Sequence, residues 1–438
     1  MNMYNILLAK SLSDGGGGGI TPTGTLSISA NGSYDVTSYA GADVAVPGPS
    51  GSISITQNGT VDVTQYASAD VNVSGGGGVT EADEKAVNFY DYDGTRLYSY
   101  TANEASALSA LPANPTHDGL TAQGWNYTLA EMKNEVSKLG RCDIGQCYTT
   151  SDGKTRIYID FSHNPGKSFS LRFTASAKNN TTIDWGDGTT ETEGETFANN
   201  YTHTYAECKP YVITLTVNSG SISFIGTTGS SGYSIYGTRD NRGFLVGDAL
   251  QKMEIGGSVT AIGTSALERA YGLQTITMPR TLQITGESTF ANCISLKYLV
   301  VPPCMTEIPA KTLQSCSRVK GVSIPAGVTS LGDNAMSSAT LLPTLHLPSG
   351  LQTIGQYALS GGYALADITI PESVTSIGTR AFQYTYMRTI HFKPTTPPTC
   401  ASDAITWTYI ACYVPNASLD TYKAASPWSS YAAKVYGE

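Results

Sequence analysis

Charge is what this chain has least of. Asp, Glu, Lys and Arg make up 14% of its 438 residues, against about 25% in an average soluble domain. The 35 acidic and 26 basic residues leave a formal net charge of −9. That balance argues against a protein that coats nucleic acid or lies on anionic lipid by a basic face. Long apolar runs are also missing. None approaches the ~18 residues of a spanning helix, so membrane insertion is not expected. Histidine is scarce and scattered (His117, His163, His203, His346, His391). No His-Glu-x-x-His, Gly-x-Ser-x-Gly or Walker lysine pattern occurs, and no spacing marks a carboxylate pair for glycoside hydrolysis. The chain is therefore expected to be no enzyme, with no catalytic residues, metal or cofactor. Its eight cysteines (Cys142, Cys147, Cys208, Cys293, Cys304, Cys316, Cys400, Cys412) are too diluted for a disulfide scaffold. Cys142 and Cys147 have no accompanying His and match a zinc site poorly. Buried thiols are the expectation, with a Cys142–Cys147 disulfide left open.

What is present is Gly (46), Tyr (27), Thr and Ser, over a hydrophobic content of 40%. That is enough for packed cores, and the length suggests about three domains. The composition reads as a β-rich chain facing outward, a binder in character. Residues 1–23 hold a short apolar stretch, Ile6-Leu7-Leu8 with Leu12, and then Gly15 to Gly19. No strand precedes the glycines, so they read as a tether. The apolar stretch is too short for a secretion signal, and Lys10 follows it instead of preceding it. An attachment peg and a frayed end both remain open.

Two internal repeats organise the rest. The first spans residues 24–78, where Gly24 to Val46 returns 27 residues later as Gly51 to Val73. Each copy has an Asn-Gly (Asn31-Gly32, Asn58-Gly59) between alternating segments and ends in Ala-Asp-Val-x-Val. That pattern predicts a β-hairpin in each copy. A unit this small must pair with its neighbour or with another chain. The second repeat is stricter. Pro279, Pro302, Pro325, Pro348, Pro371 and Pro394 are 23 residues apart. In the same frame run four apolar columns: Met253 to Ile368, Ile255 to Ile370, Val259 to Val374 and Leu267 to Phe382. Stacked rungs would bury these as continuous columns, adding about 4.8 Å per repeat.

These residues, for example Ile368-Thr-Ile370-Pro371 followed by Val374-Thr-Ser-Ile377-Gly378 and Ala381-Phe382, resemble the BspA-like leucine-rich repeat family. The resemblance covers about 250–394 and implies a solenoid over 250–396. Cys293 and Cys316 fall at equivalent positions of adjacent rungs, as an inward thiol ladder or a disulfide. Residues 397–438 look like the family's C-terminal cap, with Asn416 as helix N-cap and Leu419 and Tyr422 over the last rung.

Between the repeats lie two further segments. Residues 79–150 read as a small α+β module with helices over 103–111 and 128–139. The second carries Leu129, Met132, Val136 and Leu139 on one face and ends at Gly140. This segment resembles a module of tail-associated proteins from phages and prophages of gut Gram-positive bacteria. Residues 151–220 carry Trp185-Gly186-Asp187-Gly188 and His203-Thr204-Tyr205 and resemble the PKD (polycystic kidney disease) domain, a β-sandwich. Asp184 and Asp187 are either a calcium pair or a plain Asp-Gly turn. Residues 221–249 read as a connector.

The expected fold is thus multidomain and mainly β: N-terminal β-hairpin repeats, α+β module, PKD-like β-sandwich and C-terminal leucine-rich repeat solenoid. The resemblances imply a phage tail-fibre or tail-tip receptor-binding protein in the virion. It would be homotrimeric, joined to other tail or baseplate proteins by its N-terminus, and would bind a host-surface glycan or protein. The alternatives are an exported bacterial cell-surface adhesin of the same repeat family and a spike-borne polysaccharide hydrolase. In each rung, the strand position between the two inward columns should face solvent. The expected receptor contacts are therefore Ser323, His346 and Thr369, with Lys297, Tyr298, Lys320 and Asp367 beside them. A competing distal cluster is Trp407, Tyr409, Trp428 and Tyr431.

Overall fold

The computed structural model describes residues 25–28, 33–35, 41–45, 52–55, 60–62, 68–72, 87–163, 167–193, 198–225, 235–236, 248–405 and 410–438. It divides into two units, Met1–Lys85 and Ala86–Glu438.

In the first unit the expected hairpins are replaced by an interlocked pair. The strands are β1 (Thr25–Ile28), β2 (Ser33–Asp35), β3 (Gly41–Ala45), β4 (Ser52–Ile55), β5 (Thr60–Asp62) and β6 (Ser68–Asn72). β1 pairs with β3 in parallel and β4 with β6 in parallel, while β3 and β6 meet antiparallel at the centre. β2 pairs with β5, its counterpart in the other copy. In the centre Asp43 lies opposite Asp70, the same position of the two copies, so the copies are related by a local two-fold. A three-residue hairpin arm has too few ladder bonds to stand alone. Pairing of β3 with β6 joins the two copies into one four-stranded sheet, and β2 with β5 forms a separate two-stranded one. The Asn-Gly dipeptides lie outside the described residues.

The second unit begins with a four-stranded sheet ordered β8-β7-β10-β9, formed by β7 (Val87–Tyr90), β8 (Arg96–Tyr100), β9 (Leu120–Trp125) and β10 (Cys142–Thr150). Helices α1 (Ala102–Ala107) and α2 (Leu129–Leu139) each start in a capping box, Thr101 with Glu104 and Thr128 with Glu131. Gly140, at φ 71°, ends α2, as its position in the sequence suggests. Met132 and Val136 are buried as expected, but so is Glu135, on the same helix.

A two-sheet sandwich follows, built from β11 (Thr155–Asp160), β12 (Ser168–Ala175), β13 (Thr181–Asp184), β14 (Thr190–Thr192), β15 (Ala198–Thr204), β16 (Pro210–Val217) and β17 (Ile222–Phe224). It does not end at a linker. β11 pairs antiparallel with Leu250–Glu254, the first solenoid strand, and β17 pairs in parallel with Val259–Gly263. Both sheets of the sandwich thereby run on into the solenoid, and β17 falls within the segment expected as a connector. One apolar core extends from Phe161 and Trp185 to Val435.

All four repeat columns point inward. Met253, Ile276, Leu299, Val322, Leu345 and Ile368 are at most 4% exposed, and the other three columns are buried as well. Each such side chain contributes about 1.5–3 kcal/mol when fully buried. Rung turns are joined by a forward ladder, as in Leu267 N–H to Thr289 O, Phe290 to Thr312, Leu313 to Ala335, Met336 to Ala358 and Leu359 to Ala381, at 2.7–3.0 Å. The ladder needs two left-handed residues per rung. Ser265, Ser288, Lys311, Asn334, Tyr357 and Arg380 occupy one such row, at φ 53–61°. Arg269, Asn292, Ser315, Ser338, Gly361 and Tyr384 occupy the other. Only one of the twelve is glycine.

Glycine is required elsewhere. A Cβ at Gly332, Gly355 or Gly378 would lie 2.5, 2.7 or 2.6 Å from the backbone nitrogen of Ala310, Asp333 or Gln356 on the preceding rung. The same glycines donate N–H bonds of 2.8 Å to Ile308, Leu331 and Ile354. Pro309 takes this position one rung earlier and has no N–H to give. There the ladder breaks between Gln283–Thr285 and Glu307–Ile308, and Ile284 N–H turns to the Met305 sulfur at 3.3 Å.

At the far end, strands Ala411–Val414 and Val435–Gly437 extend the sheet in parallel. Tyr422, on α3 (Leu419–Ala424), and Trp428 are fully buried over Phe392. Asn416 is not the N-cap. It opens a 3-10 turn, Asn416–Ser418, whose preceding residue is Pro415, and neither Pro415 nor Ser418 makes a side-chain cap. Cys293 and Cys316 are free and donate to Leu267 O and Phe290 O at 3.1 and 3.0 Å. Cys142 and Cys147 are free too.

Replacing Gly332 with Ala should cost about 1–3 kcal/mol by overpacking, read as a lowered urea midpoint. Gly350→Ala, whose nearest neighbour would be 3.4 Å away, should cost less. Equal losses would remove close backbone approach as the reason for the glycine.

Candidate functional site

The outward row of the first rungs does not face solvent. The α+β module lies on it. Thr277, Val300, Ser323 and His346 are 1, 5, 0 and 3% exposed. Gly145 on β10 sits against Val300, and a Cβ there would come within 2.6 Å of its methyls. Tyr148 N–H donates to Met278 O at 3.2 Å. In the β9–α2 connection the Asn126 amide donates to Val301 O (3.0 Å) and Ser323 Oγ (2.9 Å), and Tyr127 OH to Ile324 O (2.6 Å). The buried Glu135 carboxylate accepts from Ser349 N–H and Oγ, both at 2.8 Å, and lies 3.3 Å from His346 Nε2. Buried acceptor oxygens held in this way are costly to strip of their partners.

This docking corrects the expected receptor row. Ser323 and His346 are interface residues, and so is Tyr298, at 4% exposure. The Tyr298 ring packs on Tyr90 at 5.1 Å and 31°. It fills the room left by Gly94 and Gly321, where a Cβ would press on it from either side. Burial raises the hydroxyl pKa of both tyrosines. Lys297 and Lys320 remain exposed, and Asp367 and Thr369 are half-buried on Asp367–Ile370. Of the distal aromatics, Trp428 is cap core and Tyr431 packs against that core. Trp407 and Tyr409 lie outside the described residues.

Where the module's β7–β8 turn meets the strand starts of the solenoid, an open groove of about 680 Å³ remains. Tyr90, Asp93 and Asp143 line it from the module, and Lys297, Arg318, Lys320 and Leu341 from the solenoid. Lys297 and Lys320 are successive members of one ladder, joined by Lys320 N–H to Lys297 O at 2.9 Å. Leu341 is 50% exposed. Arg318 and Leu341 were not expected from the sequence, because outward positions were taken through the 23-residue frame only in the strands. Applied to the turns, the same frame aligns Ser295, Arg318 and Leu341. It also aligns Tyr363 and Tyr386, two exposed rings stacked at 5.3 Å.

Beyond the module the outward row is open. It carries Thr369, His391, Tyr413 and Tyr436, with His391 on Tyr413 at 5.1 Å and Tyr413 on Tyr436 at 5.7 Å. His391 and Lys393 both bind the Glu438 side chain, at 2.6 and 2.7 Å. Burial works to raise the pKa of that carboxyl, and the two partners outweigh it and lower it.

In the sandwich, Asp184 accepts from Gly186 N–H at 2.9 Å. Asp187 accepts from Thr189 N–H and Oγ1 and meets His203 Nε2 at 2.7 Å, while His203 stacks on the buried Trp185 at 5.0 Å. These bonds tie the Asp-Gly turn to β15. Among the described residues no group of three or more His, Cys, Asp or Glu side chains is placed to hold a metal ion.

Comparison with known proteins matches residues 241–361 and 298–400 to the BspA type Leucine rich repeat region, in six copies. This agrees with the resemblance read over 250–394. Among solved structures, a leucine-rich repeat protein from Bacteroides ovatus is 22% identical over 36% of this chain and 48% of its own, at a TM-score of 0.32. The chain thus spans about half the length of that protein. The T. pallidum Leucine Rich Repeat protein is 21% identical over 38% of this chain and 68% of its own, at 0.24. A leucine rich cell surface protein from Faecalibacterium prausnitzii is 15% identical over 51% and 90%, at 0.25. No curated protein matches the chain.

Burial works to raise the Asp187 pKa, but its bonds to Thr189 and His203 outweigh burial and hold it at about 2. A carboxyl lowered in this way stabilises the fold fully above its unfolded pKa, near ~4, and ceases to do so as pH falls through the folded value. Asp187→Asn should therefore be less stable than wild type at pH 7, with the gap closing between pH ~4 and ~2. Urea midpoints across that range measure it, and a gap independent of pH would contradict the assignment.

Proposed function

We propose that this chain, which carries BspA type leucine-rich repeats over residues 241–361 and 298–400, is a non-enzymatic adhesion protein of the bacterial cell surface. Its solenoid is the binding element, and the target is a glycan or protein on an opposing surface. The observation that carries the reading is the open groove between module and solenoid, rimmed by exposed Lys297, Arg318 and Lys320. It is open to solvent along one side, and in this reading takes a segment of polymer or a loop in preference to an enclosed small substrate. The PKD-like sandwich closes the first end of the solenoid in this reading, and the paired strands β1–β6 serve attachment or trimer formation.

Labelled full-length protein should bind intact bacterial or host cells saturably, without releasing reducing sugar from their polysaccharides. Failure to bind any cell type in a broad panel would sink the reading. Immunogold labelling separates the carriers. Label on the envelope of the producing cell fits the adhesin, whereas label on tail particles would assign the same binding surface to a phage receptor-binding protein.

A further inference from the structure

We infer that Tyr363, Tyr384 and Tyr386 form a second contact site, outside the groove, and that it takes an uncharged glycan. The inference rests on the adhesion reading and names the ligand class of this surface. The first argument is exposure. Tyr363, Tyr384 and Tyr386 are 49, 66 and 74% exposed. They lie on the turns of two successive rungs, and Tyr363 and Tyr386 stack at 5.3 Å and 27°. Among the described residues the Tyr384 ring stacks on nothing, and none of the three hydroxyls is hydrogen-bonded. Folding therefore leaves much of the ring surface and all three polar ends open to solvent.

The second argument is positional. The column of Tyr363 and Tyr386 reads Tyr271, Ile294, Ser317, Thr340, Tyr363 and Tyr386. It accepts small polar residues, and Thr340 Oγ1 donates to Ser317 O at 3.0 Å, so stacking of the rungs requires no ring there. Tyr384 belongs to the left-handed row of Arg269, Asn292, Ser315, Ser338 and Gly361, at φ 57°. A bulky side chain is disfavoured in that region, and at 66% exposure little burial offsets the strain. Strained backbone of this kind concentrates where a protein grips a ligand.

The third argument selects the ligand. Residues 361–366 and 381–387 hold no charge, and the residues that follow them, Asp367 and Arg388, are of opposite sign. Nothing in these turns favours an ion. A purely apolar ligand would cover the rings and leave their hydroxyls unpaired. A stable protein partner needs about 800 Å² on each side, more than three rings of ~150–250 Å² offer when only part of each is free. A pyranose chain brings C–H faces to the rings and hydroxyls to the tyrosine O–H groups over a footprint of this size.

The test titrates full-length protein with three uncharged polysaccharides, laminarin, mannan and dextran, at low and high salt. At least one should bind, with an affinity that added salt leaves within twofold. The triple variant Tyr363→Thr, Tyr384→Ser, Tyr386→Thr gives these positions the residues of earlier rungs, Thr340 and Ser338, so folding should be unaffected. Its affinity should fall at least tenfold. Val212→Thr, at an exposed apolar residue of β16, should bind within twofold of wild type. The inference is overturned if none of the three polysaccharides binds, if the triple variant binds like wild type, if high salt abolishes binding, or if Val212→Thr weakens it equally. Cell binding by a wild type that binds no polysaccharide would overturn this site and leave adhesion standing, and its loss on protease treatment of the cells would make the partner a protein. Polysaccharide binding by a wild type that binds no cell would instead remove the adhesion reading and keep the site.

Discussion

Parallel stacking of 23-residue rungs is the constraint from which the rest of the second unit follows. Each rung adds about one strand spacing, so residues at one repeat position form a column and share one environment. Four columns are apolar and buried from end to end. Such a stack has two open ends, and both would expose apolar surface if left bare. At one end the sandwich runs its two sheets directly into the solenoid through β11 and β17. At the other, Tyr422, Trp428 and a final parallel strand cover Phe392 and Val414. Sandwich, repeats and cap are therefore parts of one core rather than beads on a string.

The same column logic explains how the module attaches. It uses residues that vary between rungs: a small Ser323 that admits the Asn126 amide, a His346 beside Glu135, and a Gly321 that lets the Tyr298 ring lie across the next rung. The partner surface is equally specific, with Gly145 bare against Val300. Docking divides the outward face in two. Beneath the module the row becomes interior and holds polar groups in a fixed hydrogen-bond network. Past the module the row stays open and carries stacked rings. The groove is the space left where the module's turn fails to meet the strand starts, and its cations come from the solenoid alone.

How much of this could be read from the chain depends on whether a residue's environment is set within its own repeat. The inward columns, Tyr422 over the last rung and the helix ended by Gly140 were legible, because periodicity and local capping chemistry decide them; Trp428, expected at a receptor surface, is cap core instead. The left-handed rows were not. Lys311, Tyr357 and Arg380 have no intrinsic liking for positive φ, and the forward ladder to the next rung holds them there. Glu135 reads as a solvated helix residue and is buried, since its partner Ser349 lies 214 residues away. The hairpins around Asn31 and Asn58 were expected from a strong local signal, yet the second arms pair with each other across the copies, and the copies are joined by the five-residue β3–β6 ladder.

The sequence by itself determined the repeat period, the side of each rung that is apolar and the low, uneven supply of charge. Those properties are local and recur every 23 residues, so one chain shows them six times over. The tertiary structure alone decided which outward residues remain outside. Thr277, Ser323 and His346 have the polarity of surface residues, and only the arrival of β10, the β9–α2 connection and α2 takes them out of water. Lys297, Arg318 and Lys320 come to line a single groove for the same reason: their proximity to one another follows from the rung frame, but the wall opposite them belongs to a segment some two hundred residues earlier in the chain.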